Sequence, residues 1–526
     1  MVKWRIAAAL FAVIGPAAGA FGQTPADKPF AASVRVTGKV LNVVRPELFG
    51  DNIEWTNDGM GFWRPSKGDL DPELTAQALP LGVTHLRYPG GTLSDYFHWQ
   101  WAVGKDRKPI PNPFDKGAPA YPAFGPDEFM ALCRRLHTRA SITINAGTGT
   151  PEEAAAWVAY HHARKDPVLD YEIGNEIYLA DPAKEQIPDL PIAKNAQQYA
   201  EFYTRCWTAI QKAAPGTRIG ASAPGVTGLP AHTQWTEDVL RALDGKIDYL
   251  AVHNAYEPGA RVIGFDANAR VSDEDLGMCF MASPIFVAKN LDATCDLIAQ
   301  NCPRDGKRIS LHVTESGPLV YSLDTVHALE DVTWNRTLAA AIYQAGLFNV
   351  LARNPKVTSA NHLPLCQDIF GASIGIHQDG AVRRVWRNAV YYVFQLYARQ
   401  AGCRMVASEV HAPAFDTSAV CFVPAQWDVP LIDSGVFRAR NGALTVMLIN
   451  RSLTHPASLT LNPNLRRYRI VRVTTLASES FKDKNGPDDP MRIAPVVKLG
   501  PATVQKKPFV LALPKCSLTC VEIAPQ

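Results

Sequence analysis

Two glutamates carry the most specific chemistry legible in this chain. Glu176 follows Asn175 at the end of the run "LDYEIGNE", and Glu315 ends the run "RISLHVTE". Both runs are short and apolar and read as strands that stop on a polar group. The two glutamates are 139 residues apart, so only the fold can bring them together. Two carboxyl groups held about 5–5.5 Å apart can cleave a glycosidic bond with retention of configuration. One attacks the anomeric carbon as a carboxylate, and the other gives its proton to the leaving oxygen. At that distance both cannot ionise easily, so one pKa rises.

The elements that must position them repeat a single unit. Between residues 46 and 402, eight apolar runs alternate with helical stretches: "ELFGDNIEW", "GVTHLRYPGG", "RASITINAG", "VLDYEIGNE", "TRIGASAPG", "KIDYLAVHN", "RISLHVTES" and "KVTSANHLPL". Eight strand–helix units predict an α/β fold, a (β/α)8 TIM barrel. A doubly wound sheet is the alternative, but "FGDNIEW" is not the Gly-rich turn that such a sheet places after its first strand. Helix starts are marked in the same way. "TPEEAAAWVAYHH" offers Thr150 as N-cap, Pro151 at the first helical position and Glu153 three residues after the cap. From residue 403 to 526 the texture becomes alternating strands with polar turns, which predicts an antiparallel β-sandwich. The early strand at residues 31–45 is expected to join that sandwich.

In a barrel of this kind the strand ends face the mouth where chemistry occurs. Glu54, Arg87, Asn145, Asn175, Glu176, His253, Asn254, Glu315 and His362 all lie at such ends. Asn175, beside the acid, can hydrogen-bond a sugar hydroxyl next to the anomeric carbon. Trp55, Trp63, Trp99 and Trp101 cluster in the early loops, either as platforms for sugar rings or as packing beneath those loops. "NAGTGTP" lacks the Lys-Ser/Thr ending of a phosphate loop.

At this point the chain resembles glycoside hydrolase clan A through "EIGNE" and the strand-seven glutamate. It resembles the family 51 α-L-arabinofuranosidases through "ELFGDNIEW", "LRYPGGTLSDYFHW", "NAGTGTPEEAAAWVAYHH" and "IDYLAVHNAY". The resemblance implies that Glu176 is the acid/base and Glu315 the nucleophile. It implies that Glu54 and Asn175 hold furanose hydroxyls, that His253 and Tyr256 line the same subsite, and that Arg87 keeps Glu315 ionised. Trp99 joins them as a substrate-contacting residue. Ser316-Gly317-Pro318 stand where the family carries a tryptophan after its nucleophile, Thr92 stands where it carries an asparagine, and His253 and Tyr256 are more widely spaced.

The implied activity is retaining release of terminal α-L-arabinofuranosyl units from plant polysaccharide or oligosaccharides. A β-xylosidase, a galactofuranosidase, an endo-glycanase and a non-catalytic carbohydrate-binding protein are the alternatives. This chemistry requires no metal or organic cofactor. A net charge of +3 gives no case for nucleic acid or an anionic membrane as partner. A homo-oligomer is allowed by the resemblance. Residues 1–20 have the layout of a cleaved signal peptide, with a basic start, a short apolar run and small residues before the cut, so a periplasmic or secreted protein is expected. In that setting the ten dispersed cysteines could form a few disulfides, with Cys295–Cys302 and Cys403–Cys421 as pairs by nearness.

Overall fold

A computed structural model describes residues 28–115, 117–179, 195–367, 370–379 and 382–526. The eight runs become eight parallel strands: β1 (Gly50–Asn52), β2 (His85–Tyr88), β3 (Arg139–Ile144), β4 (Val168–Ile173), β5 (Ile219–Ser222), β6 (Tyr249–Val252), β7 (Ser310–Tyr321) and β8 (Val357–His362). Each pairs with the next, and β8 returns to β1 through Asn361 opposite Gly50 and His362 opposite Asp51. The sheet is therefore a closed (β/α)8 barrel, and closure leaves no edge exposed. Strands buried on both faces need nearly continuous apolar sequence, and "SITI" in β3 is buried at every position.

A wall helix follows each strand: α1 (Pro72–Ala78), α2 (Pro126–Leu136), α3 (Pro151–Arg164), α4 (Ala196–Ala213), α5 (Pro230–Leu243), α6 (Asp273–Asn301), α7 (Leu338–Arg353) and α8 (Ala389–Ala398), with the short helices Thr56–Met60 and Ala328–Thr333 in the loops. Their starts follow from local chemistry. Thr150 Oγ1 accepts from the Glu153 amide at 3.1 Å, as the sequence leads one to expect, with Pro151 next in the first turn. Glu153 does not close the capping box, because its carboxylate is drawn to the His98 ring at 3.1 Å. Asn195, Ser272 and Thr337 cap α4, α6 and α7 in the same way as Thr150.

Among the described residues a second sheet has nine strands, and four two-stranded ribbons lie outside it and the barrel. It is antiparallel except where the early strand Phe30–Val43 runs parallel to Ala457–Asn462. On its other side Phe30–Val43 pairs antiparallel with Arg404–His411. Residues from the middle of the sheet and towards both flanks, among them Val34, Val436, Val446, Tyr468, Ile470 and Leu513, bury into one core. The sheet must curl over that core as a sandwich does, since a flat sheet could not bring its flanks together.

Helix α7 joins the two parts. It is apolar all round and buried along nearly its whole length, as a helix covered on every side must be. It packs on β7 and β8 and also on the C-terminal sheet. At the junction Asp433 accepts from Asn349 Nδ2 at 3.0 Å and from Arg353 Nη2 at 2.8 Å, and pairs with Arg451 at 3.3 Å. Against the cost of burial, these two cations hold the Asp433 carboxyl well below the usual carboxylate range. Gly435 lets the strand approach, because a Cβ there would lie 2.0 Å from Asn349 Oδ1.

All ten cysteines are free thiols, which corrects the expected Cys295–Cys302 and Cys403–Cys421 pairs. Cys295 and Cys302 lie two helical turns apart, about 10 Å along the axis, beyond the reach of a disulfide. The Cys302 thiol donates instead to the Leu240 carbonyl at 3.4 Å. Among the described residues no helix is long and apolar enough to cross a membrane.

Candidate active site

Strand β4 ends at Ile173, and the chain turns sharply through Gly174, Asn175 and Glu176. Gly174 (φ 78°) has room for no side chain, since a Cβ would meet Ala146 and Ile177 at 2.8 Å. Glu176 itself sits at φ 47°, a conformation that costs a non-glycine residue. The Asn175 amide donates to Asp95 Oδ1 at 3.3 Å, and the Ala146 amide donates to the same oxygen at 3.4 Å. This tight turn aims Glu176 across the barrel mouth.

Strand β7 brings Glu315 to the same place. One carboxylate oxygen of Glu176, one of Glu315 and a ring nitrogen of His253 all lie within 4.8 Å of one another. His253 Nδ1 is 2.9 Å from Glu176 Oε1 and 3.7 Å from Glu315 Oε2, and its Nε2 is 3.1 Å from Thr314 Oγ1. Burial alone would lower the His253 pKa. The charge of Glu315 and the hydrogen bond and charge of Glu176 outweigh it, and the net shift is upward.

Glu315 is gripped from both sides. Arg87 Nη1 donates to Oε1 at 2.6 Å, and the Tyr256 hydroxyl donates to Oε2 at 2.7 Å. Tyr256 reaches it because the chain leaves β6 at Val252, turns, and re-emerges as a short strand, Tyr256–Ala260, parallel to the extended end of β7. Tyr256 then lies opposite Gly317. Burial, then the Glu315 charge, pushes the Tyr256 hydroxyl well above its ordinary pKa, so it stays a donor. The backbone of the "PGG" turn lies directly under the carboxylate, since a Cβ on Gly91 would stand 2.9 Å from Glu315 Oε1.

Arg87 links these groups. Its Nη2 donates to Asn175 Oδ1 at 2.8 Å, and its Nη1 lies 3.3 Å from Asn52 Oδ1. Its other edge makes two bonds to Glu172, Nε to Oε2 at 3.1 Å and Nη2 to Oε1 at 3.0 Å. Glu54 stands at the side of the group. It accepts from Thr56 Oγ1 at 3.3 Å and lies against Gly90. Burial lifts its carboxyl to about 7; the Thr56 bond opposes the rise and the Glu315 charge adds to it.

Glu176, Glu315, Asn175, His253, Tyr256 and Arg87 thus form one connected cluster, with Glu54 at its side. Trp99, expected among the substrate contacts, packs among the loops around the start of α3. Trp99 is buried, stacks on Trp157 with ring centroids 6.2 Å apart, and donates its indole N–H to the Glu153 carbonyl at 3.1 Å. Asn145 also serves the fold. Its Oδ1 accepts from the amides of Gly147, Thr148 and Gly149 and staples that loop. Asn254 binds the Val226 carbonyl at 3.2 Å.

Sequence reasoning missed Glu172, Asn52 and Thr314. Glu172 carried a signal. Asp170 and Glu172 alternate with Tyr171 and Ile173 in a strand whose ends were read correctly, and alternation of that kind points charged side chains to one face.

Residues 323–517 match the α-L-arabinofuranosidase C-terminal domain family. An intracellular exo-α-(1→5)-L-arabinofuranosidase of Streptomyces lividans is 24% identical over 86% of this chain and 70% of its own length. An intracellular exo-α-L-arabinofuranosidase of Bacteroides ovatus is 21% identical over 91% of this chain and 93% of its own. The crystal structure of a GH51 arabinofuranosidase from Xanthomonas axonopodis pv. citri superposes with a TM-score of 0.75 at 20% identity, over 94% of this chain and 100% of that one. The chain resembles the family 51 glycoside hydrolases in both sequence and fold. The names of the two curated relatives overturn one expectation. Both are called intracellular, against the periplasmic or secreted location read from residues 1–20, which lie outside the described residues.

Proposed function

We propose that this protein is a retaining, exo-acting α-L-arabinofuranosidase, with residues 46–402 as its catalytic barrel and 403–526 as the bracing sheet domain. The observation that carries the reading is the approach of Glu176 and Glu315 to within 4.8 Å across the barrel mouth. That separation suits a double displacement, in which no water has to fit between the second carboxylate and the anomeric carbon.

Glu315 is the nucleophile. Arg87 and Tyr256 both donate to it, which fixes its attacking oxygens in place. Glu176 is the acid/base, beside His253, whose pKa the two carboxylates raise. Glu176 gives its proton to the glycosidic oxygen as Glu315 bonds to the anomeric carbon and the leaving alcohol departs. Glu176, now a carboxylate, then takes a proton from water, which attacks the same carbon and frees Glu315. Two inversions give net retention. Asn175, held by Arg87, and Glu54, neutral for part of the physiological range, flank the sugar hydroxyls. The two curated relatives carry exo-arabinofuranosidase names, which favours this sugar over xylose or galactofuranose.

A panel of aryl glycosides tests it: α-L-arabinofuranoside, β-D-galactofuranoside, β-D-xylopyranoside and β-D-glucopyranoside, with Glu315→Ala as control. Turnover of the arabinofuranoside that disappears in the variant is the expected result. Preference for another sugar, or turnover that persists in the variant, overturns the reading.

A further inference from the structure

We propose that Glu172 is a positioning residue for the reaction, acting on the nucleophile through Arg87. It grips the guanidinium so that Nη1 meets Glu315 and Nη2 meets Asn175, and its charge sets how strongly Arg87 is drawn to Glu315. The proposal rests on the reading of Glu315 as nucleophile.

The geometry is that of a planar fork fixed along one edge. Arg87 and Glu172 are both fully buried, and two near-parallel bonds join them, at 3.1 and 3.0 Å. A guanidinium is rigid and planar, so clamping Nε and Nη2 also decides where Nη1 points. Nη1 points at Glu315 Oε1, 2.6 Å away, and Nη2 reaches Asn175 Oδ1 at 2.8 Å. The strand order makes this reach direct. Glu172 lies on β4 opposite Thr143 of β3, and Arg87 lies on β2 opposite Ser141 of the same strand. The Arg87 side chain spans the barrel interior between Glu172 and the β7 glutamate. Asn52, on β1 beside Arg87, completes the seat and is itself held, its Nδ2 donating to the Thr314 and His362 carbonyls at 3.1 and 3.0 Å.

The charge balance gives Glu172 a second effect. One guanidinium lies between two buried carboxylates. The Glu172 charge takes up part of the attraction that Arg87 exerts on Glu315. Without that charge, Arg87 is drawn more strongly to Glu315, and a carboxylate held more tightly is a weaker nucleophile. An aliphatic residue at position 172 would supply neither effect, and a merely structural carboxylate would supply neither at Glu315.

Two variants separate these effects. Glu172→Gln keeps the shape but removes the charge, and Glu172→Asp keeps the charge but shortens the reach. The expected result for Glu172→Gln is an acid limb of the kcat/KM profile moved down by about half a pH unit or more, with kcat lowered about 10-fold or more and KM changed little. Glu172→Asp is expected to keep the wild-type acid limb while losing kcat, because the fork is displaced. Melting curves of both are recorded alongside. A folded Glu172→Gln with an unmoved profile and undiminished kcat overturns the proposal. So does failure of both variants to fold, since Glu172 would then be serving the fold as a whole. Wild-type turnover that is lost in Glu315→Ala, together with an unmoved Glu172→Gln profile, rejects the role of Glu172 alone. A wild type silent on arabinofuranosides removes the nucleophile reading and this proposal with it.

Discussion

The His253 ring lies between the two glutamates, with Nδ1 2.9 Å from Glu176 Oε1 and 3.7 Å from Glu315 Oε2. One proton carrier therefore serves both carboxylates, tied more closely to Glu176. Glu315 is already held by Arg87 and Tyr256. The two glutamates are thus unequal, one fixed by donors on both oxygens and the other beside a titratable ring. That inequality is what an attacking carboxylate and an acid/base require.

Removing the acid separates the two roles. Glu176→Ala is expected to lower kcat/KM by about 10²–10⁴-fold for substrates with poor leaving groups, and by much less for activated aryl substrates. Azide should restore turnover and give an arabinosyl azide. Equal loss on both substrate types, with no azide product, would count against Glu176 as the acid/base.

Glu54 gives a stability test with a definite sign. Its carboxyl is lifted from 4.5 to about 7, chiefly by burial. Between those values the folded chain keeps a proton that the unfolded chain has released. Stability contributed by this group therefore falls as pH rises through the window. Glu54→Gln cannot lose that proton, so its melting temperature should fall less than that of the wild type between pH 5 and pH 7.5. Parallel curves would show that Glu54 does not titrate there.

Trp99 tells packing from binding. It is buried against Trp157 and bonded to the Glu153 carbonyl. Trp99→Ala should cost about 3–5 kcal/mol of stability and leave KM for the arabinofuranoside within about twofold. Denaturant unfolding and initial rates below the melting range check both. A large rise in KM without loss of stability would return Trp99 to the substrate site.

The barrel was legible because each of its eight strands is a short apolar run bounded by turn residues, and the polar residues that end those runs converge by topology alone. The curled C-terminal sheet was legible from its alternation. What lay beyond the sequence was decided by burial and by local detours. Trp99 has the type of a sugar platform, and only its packing against Trp157 shows that it faces inward. Tyr256 lies beyond the end of β6, and the short strand that seats it opposite Gly317 had no periodic signal of its own. Glu172, like Asp170, alternates with Tyr171 and Ile173 in its strand, but its partner Arg87 reaches it only by crossing the barrel. The leader-like start at residues 1–20 suggested export, against relatives named as intracellular.

The central claim is that Glu315 forms the covalent bond to the sugar. An activated arabinofuranoside carrying fluorine at carbon 2 forms the glycosyl-enzyme and releases it slowly, so the attached residue can be found by peptide mass spectrometry. The account predicts one equivalent of the fluorinated sugar on the peptide containing Glu315, and none in Glu315→Ala. A label on another residue, or steady turnover of the unfluorinated substrate with no trapped sugar at Glu315, would contradict it.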